Sequence, residues 1–391
     1  MQFSKIKGQN KIINFLIKTV KDQRVSHAQL FLGQSGSGTF AVALSYAQFI
    51  NCTDKKYFNT ESADALQADS CGKCSSCLKY EQLAHPDLHF CFPNTTSDKL
   101  GVKDKNESYS FINFFREFVL ENEGYIDLES WYKAIDVANK QGVINVRDVT
   151  RAMGNLKLKA YEADYKVTII WCFDKLHYDA APKLLKILEE PEPNTLFLLI
   201  TDNSQAILPT ILSRTQLVKI PTLTNEAIVE YLVAEQNMPL DKARKQATFA
   251  DNSLIKARNM ELEASSKFED FFVNWMRSSL AYAKDISAII EMGEDFAKWG
   301  REQHRLFFAM ATNAFRKSLY INLGVSTSDD FFEIRDEKFK TNFPKYTTTQ
   351  TVSEIHKLIE QADFHVQRNA NAKILFCDLS IKVGKTLMAK R

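Results

Sequence analysis

A short apolar run, Ala28 to Gly33 (AQLFLG), passes directly into Gly33-Gln34-Ser35-Gly36-Ser37-Gly38-Thr39-Phe40, and helical character follows from Phe40 to Ile50. A strand that turns on glycines into a helix is the frame of a phosphate-binding loop, which requires G-x-x-x-x-G-K-[ST] at this place. Gly33 and Gly38 stand five positions apart, as the frame asks. Together with Gly36 they would let backbone N–H groups converge on an anion at the helix start. Two further apolar runs, Val167 to Phe173 (VTIIWCF) and Leu196 to Thr201 (LFLLIT), read as strands buried on both faces. Between them Leu184, Leu185 and Leu188 share one face of a helix that stops before Pro191. Strand, helix and strand with a short return predict an α/β fold with a parallel sheet.

The frame is kept but its chemistry is not. Thr39 stands where a lysine should neutralise the β- and γ-phosphates, and Phe40 where a hydroxyl should hold Mg²⁺. Without that cation and metal ligand, the electrostatic stabilisation of phosphoryl transfer is gone. ATP hydrolysis by this chain is therefore not expected, while nucleotide binding at Gly33, Gly36, Gly38 and Thr39 stays open. A plain Gly/Ser-rich turn is the competing reading. The acidic element fares no better: VTIIWCF ends in Phe173-Asp174-Lys175 where an active enzyme carries adjacent Asp and Glu. Asp174 could equally cap a helix or lie at the surface.

The chain has seven cysteines, and four of them, Cys52, Cys71, Cys74 and Cys77, fall within 26 residues. Cys-x2-Cys spacing lets two thiolates meet one ion. Three such cysteines in tandem with a fourth nearby make a Cys₄ set, which favours a structural Zn²⁺. An iron–sulfur cluster, or a set in which His85 replaces Cys52, are the alternatives. Cys91, Cys172 and Cys377 are isolated in apolar contexts and are expected in the core. The odd count and the absence of an export signal argue against a disulfide framework and for a cytoplasmic protein. A net charge of +2 implies no strong field, so nucleic-acid contact would need a local patch or partners. The longest apolar windows are strand-length, well short of the ~20 residues that span a bilayer.

A length of 391 residues suits two or three domains. The α/β pattern occupies residues 1–221, with the cysteine module at 52–77 and an insertion at about 92–140. The insertion carries one or two amphipathic helices (FINFFREFVLENEGY) and a loop at about 94–110 expected to be mobile. Residues 222–264 read as a small helical unit and 265–391 as helices throughout, with a strand signal only at Ala372 to Cys377.

On HAQLFLGQSGSG, the four cysteines after the loop helix, HPDLHF, KLLKILEEP (Lys183 to Pro191) and TDNSQAILPTILSRTQ (Thr201 to Gln216), the chain resembles the delta-prime subunits of the bacterial DNA polymerase III clamp loader, members of the AAA+ class. The motifs cover roughly residues 1–260. The resemblance implies a degenerate AAA+ P-loop domain, a helical lid domain and a helical collar. It also implies a hetero-pentamer with motor ATPase and delta subunits that places a sliding clamp on primed DNA. In that family delta-prime does not hydrolyse ATP and offers an arginine finger in trans from a Ser-Arg-Cys motif. Here the motif reads Ser213-Arg214-Thr215, so Arg214 matches and the cysteine does not. A surface arginine in an ordinary salt bridge is the bland alternative. Thr201 falls at the family's sensor-1 position and Arg258 near sensor 2. Two other functions compete. An active clamp-loader ATPase would need a lysine at position 39 and an Asp-Glu pair. A stand-alone zinc nucleic-acid-binding protein would need a basic, aromatic face, and only Lys73, Lys79 and Tyr80 lie near the cysteines.

Overall fold

The computed structural model describes residues 1–391 apart from 61, 63–64, 98–99, 103–106, 138–141, 158, 251, 260–261, 326–335, 369 and 390–391. The chain falls into two compact units, Met1–Asn259 and Met260–Arg391. In the first, α1 (Asn10–Lys21) precedes β1 (Ala28–Leu32), and α2 (Thr39–Ile50) leaves the glycine loop. A small hairpin, β2 (Lys56–Tyr57) and β3 (Ala68–Asp69), is followed by α3 (Ser75–Glu81) and β4 (Leu88–Cys91). Next come α4 (Ile112–Glu121), α5 (Leu128–Ala134) and α6 (Val146–Lys157), then β5 (Lys166–Ile170). The unit continues with α7 (Ala181–Glu189), β6 (Thr195–Thr201), α8 (Pro209–Leu212) and β7 (Gln216–Lys219). It closes with α9 (Asn225–Gln236), α10 (Leu240–Phe249) and α11 (Leu254–Asn259).

Five strands form a sheet in the order β4-β5-β6-β1-β7, and every neighbouring pair is parallel. Both faces are covered, which is why β5 and β6 read as unbroken apolar runs. Phe31, Ile169, Leu198 and Ile200 pack with α1 and α2 on one face. Leu30, Ile170, Phe197 and Leu199 pack with α6 and α7 on the other, against Leu184, Ile187 and Leu188. Helix α2 is buried at every position. The carboxyl ends of β1, β5 and β6 open on one edge, where ligands of open parallel sheets bind.

Several elements differ from expectation. β5 ends at Ile170, short of Phe173, because Cys172 adopts a left-handed backbone (φ 53°) and Phe173–Lys175 form a 3-10 turn. The short strands β4 and β7 were not singled out by pattern. The loop at about 94–110 is pinned at its base: Asn94, Ser97 and Ser108 are buried. There Asp148 accepts from the Ser108 N–H (2.6 Å) and the Asn94 side-chain amide (3.3 Å). Residues 98–99 and 103–106 of that loop lie outside the described residues. The two insertion helices, α4 and α5, are present; α4 buries Phe115, Phe118 and Val119.

The second unit is helical among the described residues: α12 (Leu262–Leu280), α13 (Ser287–Ala297), α14 (Arg301–Asn322), α15 (Glu337–Asn342), α16 (Thr349–Gln367) and α17 (Ala372–Met388). Its core is aromatic, with Trp275, Phe296, Phe307 and Phe376 fully buried and the Phe296 and Phe376 rings stacked at 4.5 Å. The strand signal at Ala372 to Cys377 is corrected: these residues open α17, and Phe376, Leu379, Val383 and Leu387 recur at helical spacing on its buried face. No helix of the described residues is long and apolar enough to cross a membrane.

Candidate phosphate-loop site and metal centre

The glycine loop leaves β1 at Gly33, whose N–H donates to the Thr201 carbonyl of β6 (3.1 Å). Gly36 and Gly38 take left-handed backbones (φ 86° and 83°), and Gly38 caps α2. Glycine is the residue that accepts such a conformation without penalty. The loop's side chains bond one another. Ser37 Oγ donates to the Gln34 carbonyl (2.7 Å) and shares a hydrogen bond with Thr39 Oγ1 (2.8 Å). The Phe40 ring packs in a cluster with Phe90, Phe115 and Trp171 at ring distances of 5.9–6.3 Å, and Phe40 and Trp171 also border the cavity beside the loop. Position 40 is therefore a core position.

Protein closes in on the loop from several sides. The Tyr125 ring lies on Gly38, so a Cβ there would sit 2.9 Å from Tyr125 Cε1. Ser253 lies against Gly36, and the Leu254 N–H donates to the Gly36 carbonyl (3.1 Å). Gln9, itself buried, donates to the carbonyls of Ser37 and Pro221, both at 2.8 Å. A cavity of about 160 Å³ remains, bordered by the loop, Gly124–Leu128, Asp174 and Thr201.

The acidic element is neutralised from within. Asp174, largely buried, accepts from Thr201 Oγ1 (3.1 Å) and pairs with Lys175 Nζ (3.0 Å). The bond to Asp174 holds the Lys175 ammonium above its ordinary pKa. Burial pushes the Asp202 carboxyl upward, and the charge of Asp174 adds to that shift. A lysine therefore stands in salt-bridge contact where the sequence frame would place a metal-binding and water-orienting pair.

Arg214 follows α8 and lies at the protein surface. Its guanidinium pairs with Glu189 at the end of α7 (2.8 Å) and donates to the Thr210 carbonyl (2.9 Å). Arg258, on α11, donates to the Asn122 carbonyl at the end of α4 (3.0 Å). Pattern reading singled out neither Tyr125, Ser253 nor Gln9. Gly124, which has a left-handed backbone and follows α4, was the available signal of a sharp turn there.

The four cysteines converge. The Sγ atoms of Cys52, Cys71, Cys74 and Cys77 all lie within 4.8 Å of one another, with Cys71 and Cys77 at 3.9 Å. A tetrahedral Zn–S₄ centre with bonds of about 2.3 Å needs sulfurs about 3.8 Å apart. Backbone N–H groups face the sulfurs: Cys71 donates to Cys52 Sγ (3.2 Å), Cys74 to Cys71 Sγ (3.2 Å) and Cys77 to Cys74 Sγ (3.4 Å). Such donors stabilise thiolates, so the donor set suits a thiophilic cation. His85 is not part of the group. It stacks on Tyr80 (4.7 Å), accepts from the Asp87 N–H (3.1 Å) and faces Glu162 (3.3 Å). Cys91 and Cys172 have their thiol pKa values raised well above the usual by burial.

A parallel sheet in this order, a glycine loop entering a buried helix and helices beyond it define an α/β protein of the AAA+ P-loop class. The chain belongs to the DNA polymerase III delta subunit family, whose model matches residues 8–224. It is 28% identical over 263 residues to DNA polymerase III subunit delta' of Bacillus subtilis (strain 168), a match covering 67% of this chain and 61% of that protein. It is 26% identical to DNA polymerase III subunit tau of the same organism, over 98% of this chain and 62% of that protein. The matched region thus spans less than two thirds of either relative. Among solved structures, a DNA polymerase III gamma subunit-related protein from Thermotoga maritima aligns over 96% of this chain and 99% of that one, at 15% identity and a TM-score of 0.35. The Bacillus subtilis DNA clamp loader delta protein aligns at 8% identity and a TM-score of 0.29, over 96% and 99%. Scores this low carry no weight beside the strand order itself.

Proposed function

We propose that the chain is a non-hydrolysing, delta-prime-type subunit of a DNA polymerase III clamp loader. It works in the cytoplasm in a hetero-pentamer with motor ATPase and delta subunits, and through them on a sliding clamp and primed DNA. The observation that carries this reading is the pair Thr39 and Phe40, one bonded inside its own loop and the other committed to the aromatic core. The same two residues speak against an active ATPase, although a tau relative matches more of this chain, 98%, than the delta' relative does, 67%. Arg214 supports a role in trans: it is exposed, held in place by Glu189, and carried on the α8 turn between β6 and β7. A planar guanidinium so placed suits the γ-phosphate of a nucleotide bound to a neighbouring subunit. The cysteine set we assign to one structural Zn²⁺, because four sulfur ligands close the coordination shell.

The test is reconstitution with motor and delta subunits. The chain alone turns over no ATP, and Arg214→Ala lowers the assembled complex's DNA-dependent ATPase by the share of the one site it serves, roughly twofold or less, far below the 10³–10⁵ of a sole arginine finger because other sites still turn over. Unchanged ATPase in the variant complex removes the finger. Turnover by the purified chain removes the non-hydrolysing reading.

A further inference from the structure

We propose that the insertion closes the phosphate loop from inside the chain, with Tyr125 as a built-in plug over Gly38. The turn after α4 is shaped for this. Glu123 and Gly124 both adopt left-handed backbones (φ 50° and 71°), which swings the next residue off the helix axis. Gly124 comes so close to α2 that a Cβ would lie 3.1 Å from Ala41. Tyr125 then lays its ring on Gly38, and its hydroxyl accepts from the Lys7 N–H (3.3 Å).

Two latches hold this turn, both from the helices after β7. Arg258 on α11 donates to the Asn122 carbonyl (3.0 Å), and Tyr231 on α9 donates to Glu123 (2.6 Å). Tyr231 also stands 6.2 Å from Tyr125, ring to ring. On the opposite side Ser253 and Leu254 close over Gly36. An arginine that could face a phosphate is therefore spent on a carbonyl that positions the plug. What the plug leaves is the cavity of about 160 Å³. Exclusion of nucleotide follows from occupied space as well as from the missing lysine. The inference rests on the reading of this loop as non-hydrolytic. Its test measures binding by the chain alone, whereas that reading is tested by turnover, so the two fail separately.

Calorimetric titration of the full chain with MgATP and with inorganic tripolyphosphate compares Thr39→Lys, Thr39→Lys/Tyr125→Ala and Thr39→Lys/Tyr125→Phe. The plug predicts that restoring the lysine alone gains little and that the alanine double variant binds at least about tenfold more tightly. The phenylalanine variant, which keeps the ring, behaves as Thr39→Lys alone. Equal binding by Thr39→Lys and the alanine double variant overturns the plug, whether both bind or neither does. A second measurement needs no variant: amide exchange at Gly36–Phe40 and Gly124–Leu128 of the wild-type chain is unchanged by excess MgATP. Protection gained there on adding nucleotide also overturns it.

Discussion

Helix α2 has a glycine loop at its start and a convergence of four cysteines past its end, and the two differ in what surrounds them. At its start the backbone frame of an anion site is intact, with Gly36 and Gly38 left-handed, but Tyr125 and Ser253 pack against those glycines and Thr39 stands in the place of the lysine. Past its end, Cys52 joins three cysteines whose sulfurs converge while N–H groups face them. The contrast separates frame from donors. A glycine loop can persist because packing requires it: Tyr125 could not approach Gly38 if that residue bore a side chain. Four converging thiols have no comparable packing purpose, since uncompensated sulfurs in contact gain little that apolar side chains would not supply.

The comparison can be broken at either end. Cys77→Ser should have the largest effect, because structural zinc contributes folding energy directly. We expect loss of the metal, by elemental analysis, and a fall in the first unit's thermal midpoint of roughly 10 °C, on the order of 4 kcal/mol. Retained metal with an unchanged midpoint would remove the metal centre from the comparison. At the other end, Phe40→Thr installs the hydroxyl residue of a working loop. It should cost about 3 kcal/mol by denaturant unfolding and gain no Mg²⁺ affinity, because it empties a site among Phe90, Phe115 and Trp171. Gain of Mg²⁺ binding without loss of stability would mean that position 40 is still a ligand position.

Smaller effects sharpen the picture. Arg258→Ala should cost about 1.5 kcal/mol, the worth of a hydrogen bond from a charged donor, and speed amide exchange in Gly124–Leu128. Unaltered exchange there would show that the latch holds nothing. His85, stacked on Tyr80, has its pKa lowered by burial, against the pull of Glu162 and Asp87. As pH falls below about 6.5 the unfolded chain takes up this proton first, so the folded state loses stability from there down to the folded pKa. His85→Gln should flatten the decline in stability on acidification below about pH 6.5. Parallel curves for the two proteins would assign the acid sensitivity elsewhere.

Much of the fold was legible because β1, β5 and β6 are buried on both faces and so announce themselves as apolar runs. β4 and β7 were not, since four-residue edge strands such as Gln216–Lys219 take their conformation from the strand they pair with. Ala372 to Cys377 misled because six apolar-rich residues are too few to distinguish two periods; the helical one emerges only on reaching Leu379 and Val383. At the site, the four cysteines were readable from spacing, which is local. The plug was not. Tyr125 and Gly38 are 87 positions apart, and nothing in a segment that reads as an insertion points back to the loop it covers.

Helix α2 meets protein at all twelve of its positions. It therefore has no wetted face along which to slide or roll, and its polar side chains are tied on several sides, Gln48 to Ser70 and Tyr46 to Thr19. Close-packed interiors yield little under load. At 1.5 Å per residue the helix is a strut about 18 Å long, and it sets the spacing between the glycine loop at its start and the cysteine loop past its end.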